Sequence, residues 1–330
     1  MSPLALAKAI EQERLEPGSF AAEALAGLTA IPKRVPPKFF YDSAGSDLFE
    51  RITELAEYYP TRCELEILRA HAADIAALIP RGTALIEFGS GSSRKTRLLL
   101  GAASTIAAYV PVDISAEFLR QQALGLHAEY PDVAMLPVAA DFLSPFDLPA
   151  QVSALPRVGF FPGSTIGNLE AHEAAAFLQQ AGRILGAGAV LVIGVDLIKD
   201  EKVLFKAYND STGVTAEFNR NVLTRMNREL SANFDLASFE HHAFYNVERS
   251  RIEMHLASLR RQRVSVCGVS IAFRAGETIH TESSYKYTIE SFQCLARGAG
   301  WMPVTVWTDA SKYFSVHVLA LGAAPRLGAA

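Results

Sequence analysis

Two acids, a glycine turn and a lysine are the residues of this sequence whose types and spacing could do chemistry. The stretch LIEFGSGSSRKTRLLL, residues 85–100, runs from an apolar strand-like segment through Gly89, Ser90 and Gly91 into a helix-forming segment that carries Lys95. A turn of this kind aims backbone N–H groups and a helix N-terminus at a ligand. The third glycine of a dinucleotide-binding fingerprint is missing, because serine or arginine stands in its place. Asp113, in PVDIS, closes the next apolar run, where an acid can accept both hydroxyls of a ribose. Asp141, in AADF, follows a third run and could hold an adenine amino group while Phe142 packs on the ring. No histidines and cysteines occur at metal-ligand spacing. His241 and His242 are neighbours in a predicted strand, point to opposite faces and read as structural.

The elements that must position these residues alternate strand and helix. Strands are predicted at 84–88, 105–112, 133–137, 158–161 and 190–195, and helices at 94–100, 116–128 and 170–185. That alternation predicts a parallel sheet with helices on both faces. Ahead of it, residues 1–30 read as one or two surface helices, and the proline-rich IPKRVPPKFFYD, residues 31–42, as an extended connection. Helical patterns follow at 46–57 and 62–78, with Pro60 stopping the first. Residues 200–230 read as helical. From Phe239 the texture changes to alternating strands, before a helix at 290–297 and two closing antiparallel strands, WMPVTVWT and YFSVHVLAL. The expected division is therefore a sheet domain of residues 61–195 and 286–330, and a second α+β domain of residues 1–60 and 196–285.

Bulk composition excludes several classes. The 330 residues are 50% hydrophobic and 20% charged, enough for a large core. A net charge of −4, with the basic residues scattered, leaves no footprint for nucleic acid. No apolar run approaches a membrane span, and no signal pattern opens the chain. Cys63, Cys267 and Cys294 are odd in number and far apart, as expected of reduced thiols in a cytoplasmic protein. A monomer is expected.

Turn, ribose acid and adenine acid at three successive strand ends form the arrangement of Rossmann-like S-adenosylmethionine (SAM) methyltransferases. Lys95 could then pair with the methionine carboxylate of SAM. The stretch FFPGSTIGNLE, residues 160–170, goes further. With PPKFFYDSAGSDLFERITELAEYYPTR, DLIKD, AYND, GVTAEFNRNVL, IEM and TESSYKY, it resembles the histidine-specific Nα-methyltransferases that make the betaine hercynine on the way to ergothioneine. The resemblance covers residues 36–321 and implies a SAM-binding domain beside an amino-acid-binding one.

By that resemblance, Gly89, Ser90, Gly91 and Lys95 form the SAM loop, Asp113 takes the ribose, and Asp141 and Phe142 take the adenine. Gly163 would lie beside the sulfonium. Asn168 and Tyr208 would clamp the substrate carboxylate and amine, with Tyr41 near the amine and Tyr58 near the imidazole. Glu282 and Ser284 would bond the imidazole, and Met254 would pack on its flank. The assigned chemistry needs no metal: a neutral amine attacks a sulfonium methyl in line, and positioning supplies much of the rate. Asn168, Tyr41 and Tyr58 suit an amine that grows with each methylation, since a carboxylate would hold the ammonium protonated. Three rivals remain: a relative acting on tryptophan or prenylated tryptophan, a nicotinamide-dependent oxidoreductase, and a binding subunit that has lost catalysis. Glu282 argues against an indole, the glycine pattern against the oxidoreductase, and the intact substrate motifs against the binding subunit.

Overall fold

The computed structural model describes residues 16, 18–91, 93–103 and 105–322. Contacts divide the chain into two units: residues 58–200, 249–251 and 284–330, and residues 1–57, 201–248 and 252–283.

The larger unit is built on an eight-stranded sheet. Its order is Trp301–Thr308, Phe314–Leu321, Val190–Asp196, Arg157–Phe161, Thr83–Phe88, Ile106–Asp113, then two short edge pieces, Ala134–Met135 and Val138–Ala139. Every pairing is parallel except those of Phe314–Leu321, which runs against both neighbours. The Thr83–Phe88 and Val190–Asp196 strands are buried at every residue, which is why they read as near-continuous apolar runs, interrupted only by Thr83, Glu87 and the closing Asp196, rather than alternating ones. Helix Ala171–Leu185 lays Phe177, Leu178 and Ala181 on the sheet, where Phe88, Phe161, Ile193 and Trp301 complete a core. The α/β, Rossmann-like fold expected from the sequence is the fold observed.

Three local expectations need correction. The 133–137 strand is two dipeptide strands, both paired with Ile106–Asp113 and interrupted at Leu136 and Pro137. Proline has no N–H to give the ladder, so the pairing breaks there. Pro60 does not stop a helix. The helix before it has already ended at Glu54, and Pro60 lies in the first turn of Tyr59–Ala77, where a missing N–H costs nothing. The 31–42 connection is not extended throughout: Lys33–Arg34 pairs parallel with Ile279 and His280, and Pro37–Phe40 forms a 3-10 turn.

The smaller unit carries a four-stranded sheet in the order Lys33–Arg34, Thr278–Tyr285, Arg251–Ser258, Phe239–Asn246, and a hairpin of Gln262–Val266 with Val269–Phe273. Arg251 and residues 284–285, at the ends of two of these strands, group with the larger unit. Helix Phe20–Thr29 is present, with Ala21, Ala24 and Leu28 inward, whereas the rest of the expected N-terminal helical stretch lies outside the described residues. Helix Val214–Glu229 buries Phe218, Asn219, Val222 and Met226. Asn219 is fully buried. Its amide donates to the His255 carbonyl at 3.0 Å and accepts from the Thr281 hydroxyl at 2.7 Å, tying this helix to two strands.

Candidate active site

In the larger unit the chain winds outward from Thr83–Phe88 in both directions, because its neighbours are Ile106–Asp113 on one side and Arg157–Phe161 on the other. Such a reversal opens a crevice beyond the C-terminal ends of the strands, where ligands of this sheet type bind. The glycine turn stands at that point. Gly89 has φ +74° and Gly91 φ +44°, conformations that a side chain resists. The Phe142 ring also comes within 3.5 Å of where a Gly89 Cβ would sit. The Ser90 hydroxyl is buried with no hydrogen-bond partner among the described residues. An orphaned polar atom in a turn held open by glycine fits a polar ligand laid across it.

Asp113 ends the neighbouring strand. Its Oδ1 accepts from the Ser115 amide at 3.0 Å. Burial pushes its carboxyl above the ordinary range, while the amides of Ser115, Ile114, Ser90 and Gly91 pull the other way. Asp113 therefore faces the glycine turn. Ala139 pairs with Asp113, and two residues on, Asp141 Oδ1 accepts from the Leu143 amide at 2.9 Å. Phe142 packs edge-on against Phe161 and Phe177, with centroids 5.5 and 5.7 Å away. Turn, Asp113, Asp141 and Phe142 are thus gathered at adjacent strand ends.

The acid of the opening strand is also buried here. Glu87 Oε2 accepts from the Thr96 hydroxyl at 2.6 Å and from the Tyr109 hydroxyl. Burial pushes this carboxyl up to about 8. It is therefore largely protonated at neutral pH and adds little negative charge under the turn.

The GSTIGN loop is shaped by its small residues. Gly163 has φ +82° and Ser164 φ +57°, and the Ser164 hydroxyl accepts from the Asp196 amide at 2.8 Å. A Cβ on Gly167 would stand 2.8 Å from the Tyr285 carbonyl oxygen, so this backbone approach requires glycine. The 3-10 turn Thr165–Asn168 then delivers Asn168 at its end.

Beside that loop lies a buried ionic group that the sequence did not disclose. Asp196, 1% exposed, meets Lys199 Nζ at 2.5 Å, Lys286 Nζ at 2.8 Å and the Tyr59 hydroxyl at 2.9 and 2.8 Å. Burial pushes the Asp196 carboxyl up, but Lys286 and Lys199 outweigh it and hold it below its usual range. Burial brings Lys199 down to about 8. Lys286 Nζ also donates to the Ser284 hydroxyl at 2.7 Å. Tyr58, immediately before Tyr59, is buried, and its carbonyl accepts from Arg62 at 3.0 Å.

Glu64 is a second residue the sequence did not disclose. Its carboxylate accepts from the Gly163 amide and pairs with Lys95 Nζ at 2.6 Å. A signal existed: Glu64 stands among Ile67, Leu68 and Ile75 on the inward stripe of its helix, an unusual place for a charge.

The remaining expected residues lie in the smaller unit. Asp42 caps helix Ser43–Glu54 through its Oδ1, which accepts from the Gly45 amide at 2.8 Å, and this fixes the chain at Tyr41. The Tyr41 ring meets Phe49 and Phe218 edge-on, both at 5.7 Å. Tyr208 ends helix Glu201–Tyr208, and its carbonyl accepts from His241 Nε2 at 2.9 Å. With Nε2 donating, His241 Nδ1 must accept from Asn219 Nδ2 at 2.8 Å, so the ring is a neutral structural link. Burial lowers its pKa in keeping with that state. Met254 is buried, and its carbonyl accepts from the Thr281 hydroxyl at 3.0 Å, next to Glu282, which is also buried.

Glu253, His255 and His280 bring ligating atoms within 4.8 Å of one another. His255 Nε2 meets Glu253 Oε2, and His280 Nε2 meets Ser283 Oγ, both at 3.1 Å. No described helix is long and apolar enough to cross a membrane.

Residues 20–321 match the model of a family described as histidine-specific methyltransferase, SAM-dependent. The chain is 44% identical over 312 residues to a histidine N-alpha-methyltransferase of Mycolicibacterium smegmatis, covering 90% of this chain and 95% of that one. It is 42% identical to the protein of the same name from Mycobacterium tuberculosis, covering 89% and 92%. The ergothioneine biosynthesis protein 1 of Neurospora crassa is 32% identical over 88% of this chain, a match that spans 33% of that longer protein.

Proposed function

We propose that this chain, which belongs to the SAM-dependent, histidine-specific methyltransferases, methylates the α-amino nitrogen of histidine and carries it through mono- and dimethyl stages to the trimethyl betaine hercynine. The observation that carries the reading is the gathering of the glycine turn, Asp113 and Asp141 at adjacent strand ends in a chain that matches histidine methyltransferases almost end to end. SAM, when bound, supplies an electrophilic methyl on a sulfonium.

The chain's own residues would then do four things. Asp113 would accept the ribose hydroxyls, while Asp141 and Phe142 would hold the adenine. The Gly89-Ser90-Gly91 turn would bring backbone N–H groups and the Ser90 hydroxyl against the ligand, with Lys95 offering a cation to its carboxylate. Asn168 and Tyr208 would hold the amino-acid carboxylate and amine. Tyr41 and Tyr58, both uncharged, would orient the amine lone pair without stabilising its protonated form. Glu282 and Ser284 would read the imidazole, with Met254 against its flank. Lys286 Nζ donates to the Ser284 hydroxyl, so toward the imidazole that serine would act as the donor to a ring nitrogen. Glu282 would accept from the other ring nitrogen, so the pair suits a neutral imidazole. Fixing two reactants in line can be worth roughly 7–11 kcal/mol of the barrier.

The test is incubation of the pure protein with SAM and a panel of amino acids, followed by mass spectrometry with fragmentation. Up to three methyls on the histidine α-nitrogen are expected. A methyl on a ring nitrogen, or preference for tryptophan, would overturn the orientation or the substrate.

A further inference from the structure

Glu64 belongs to none of the motif roles above, yet four elements converge on it. It sits in the second turn of helix Tyr59–Ala77 with 1% of its surface exposed. Both of its oxygens lie within hydrogen-bond distance of the Gly163 amide, at 3.0 and 2.9 Å. Oε2 also meets Lys95 Nζ at 2.6 Å, from the helix that follows the glycine turn. On the Val190–Asp196 strand, a Cβ at Gly194 would stand 2.1 Å from Glu64 Oε1, so the strand carries glycine where the carboxylate passes. A Cβ at Gly163 would itself be 3.4 Å from Lys95 Nζ, which puts the lysine and the loop side by side.

A buried carboxylate costs stability unless it is paired and hydrogen-bonded, and here it has both a cation and an amide. Those two partners are the ones assigned to the donor: Gly163 beside the sulfonium and Lys95 on the methionine carboxylate. We propose that Glu64 is a positioning residue for methyl transfer, locking Gly163 against Lys95, and that its charge makes the protein favour the sulfonium form of the ligand over the demethylated product. The proposal rests on the donor placement given above. The two ligands share a carboxylate, an amine, a ribose and an adenine. They differ by one methyl and one positive charge, so an anion fixed behind Gly163, which would lie beside the sulfur, would stabilise only one of them. The same anion neutralises Lys95 before the ligand arrives, which restrains the affinity for both.

The experiment compares Glu64→Gln, Glu64→Asp and Lys95→Met with the wild type, using calorimetric affinities for SAM and for S-adenosylhomocysteine together with steady-state kinetics. Glu64→Gln keeps an acceptor for the Gly163 amide but loses the charge. Its preference for SAM over the demethylated product should fall on the order of tenfold, with kcat lowered and KM for the amino acid unchanged. Glu64→Asp keeps the charge but shortens the reach, so kcat should fall while the ligand preference is largely kept. Lys95→Met should weaken both ligands alike, because both carry the carboxylate. Unchanged affinities in Lys95→Met would overturn the donor placement itself. The expected weakening in Lys95→Met together with wild-type ligand preference and kcat in Glu64→Gln would overturn the role of Glu64 alone. Equal losses in both ligand affinities and in KM, with a lowered melting temperature, would assign Glu64 to folding only and also refute the proposal. If Glu64→Gln does not fold, the split in Glu64→Asp decides: a lost ligand preference with retained kcat contradicts the assignment.

Discussion

Replacing Glu87 by glutamine should flatten a pH dependence of stability that the wild type cannot avoid. Glu87 is 1% exposed, and burial raises its carboxyl from the ordinary 4.5 to about 8, against the opposing pull of Thr96, Tyr109 and Lys95. The folded state therefore holds this proton more tightly than the unfolded chain does. Its contribution to stability is fully present below pH 4.5 and is lost as pH rises through about 8. Between those values the loss runs at about 1.4 kcal/mol per pH unit, flattening above the folded value. From pH 6 to pH 9 the loss amounts to about 3 kcal/mol. Both hydroxyl donors converge on Oε2, leaving Oε1 for the proton. A glutamine can present its carbonyl to the two hydroxyls and its NH2 where the protonated oxygen lay. Urea unfolding of both proteins without ligand, at pH values from 6 to 9, isolates the effect because all other titrations are shared. The wild type should weaken by about 3 kcal/mol more than Glu87→Gln over that range. Parallel profiles would refute the argument and show that Glu87 is ionised in the fold.

Other outcomes follow from the same geometry. Asp113→Ala should weaken SAM and S-adenosylhomocysteine alike by about 2–4 kcal/mol, the worth of two charge-assisted hydrogen bonds, as read by calorimetric titration. Glu282→Ala should lower kcat/KM for histidine about 30- to 1000-fold and raise relative activity on tryptophan, while SAM affinity stays near wild type. Lys286→Met should destabilise the fold by about 3–5 kcal/mol in chemical denaturation, because buried Asp196 is left with one of its two cations.

The α/β architecture was legible because its evidence is local. Buried parallel strands are near-continuous apolar runs, the intervening helices repeat at helical spacing, and the glycines and acids stand at or near the ends of those runs. The same local reading failed where one residue type serves two purposes. Proline both ends helices and begins them, and at Pro60 only the packing of Tyr59–Ala77 decides between the two. Pro137 sits inside an apolar run and breaks its ladder, which hydrophobicity does not register. The candidate site divides in the same way. Asp113, which closes an apolar run and bonds the Ser115 amide two residues on, could be picked out from the sequence. Asp196 could not, since its partners Tyr59 and Lys286 lie about 140 residues before and 90 after it. Glu64 finds Gly163 across 99 residues, and its charge is tolerated only because Gly194 leaves room and Lys95 reaches it. Periodicity records which face of an element turns inward. Which buried charges meet there is fixed by the packing of distant elements, because a carboxylate out of water is stable only where the fold brings it a cation and a donor.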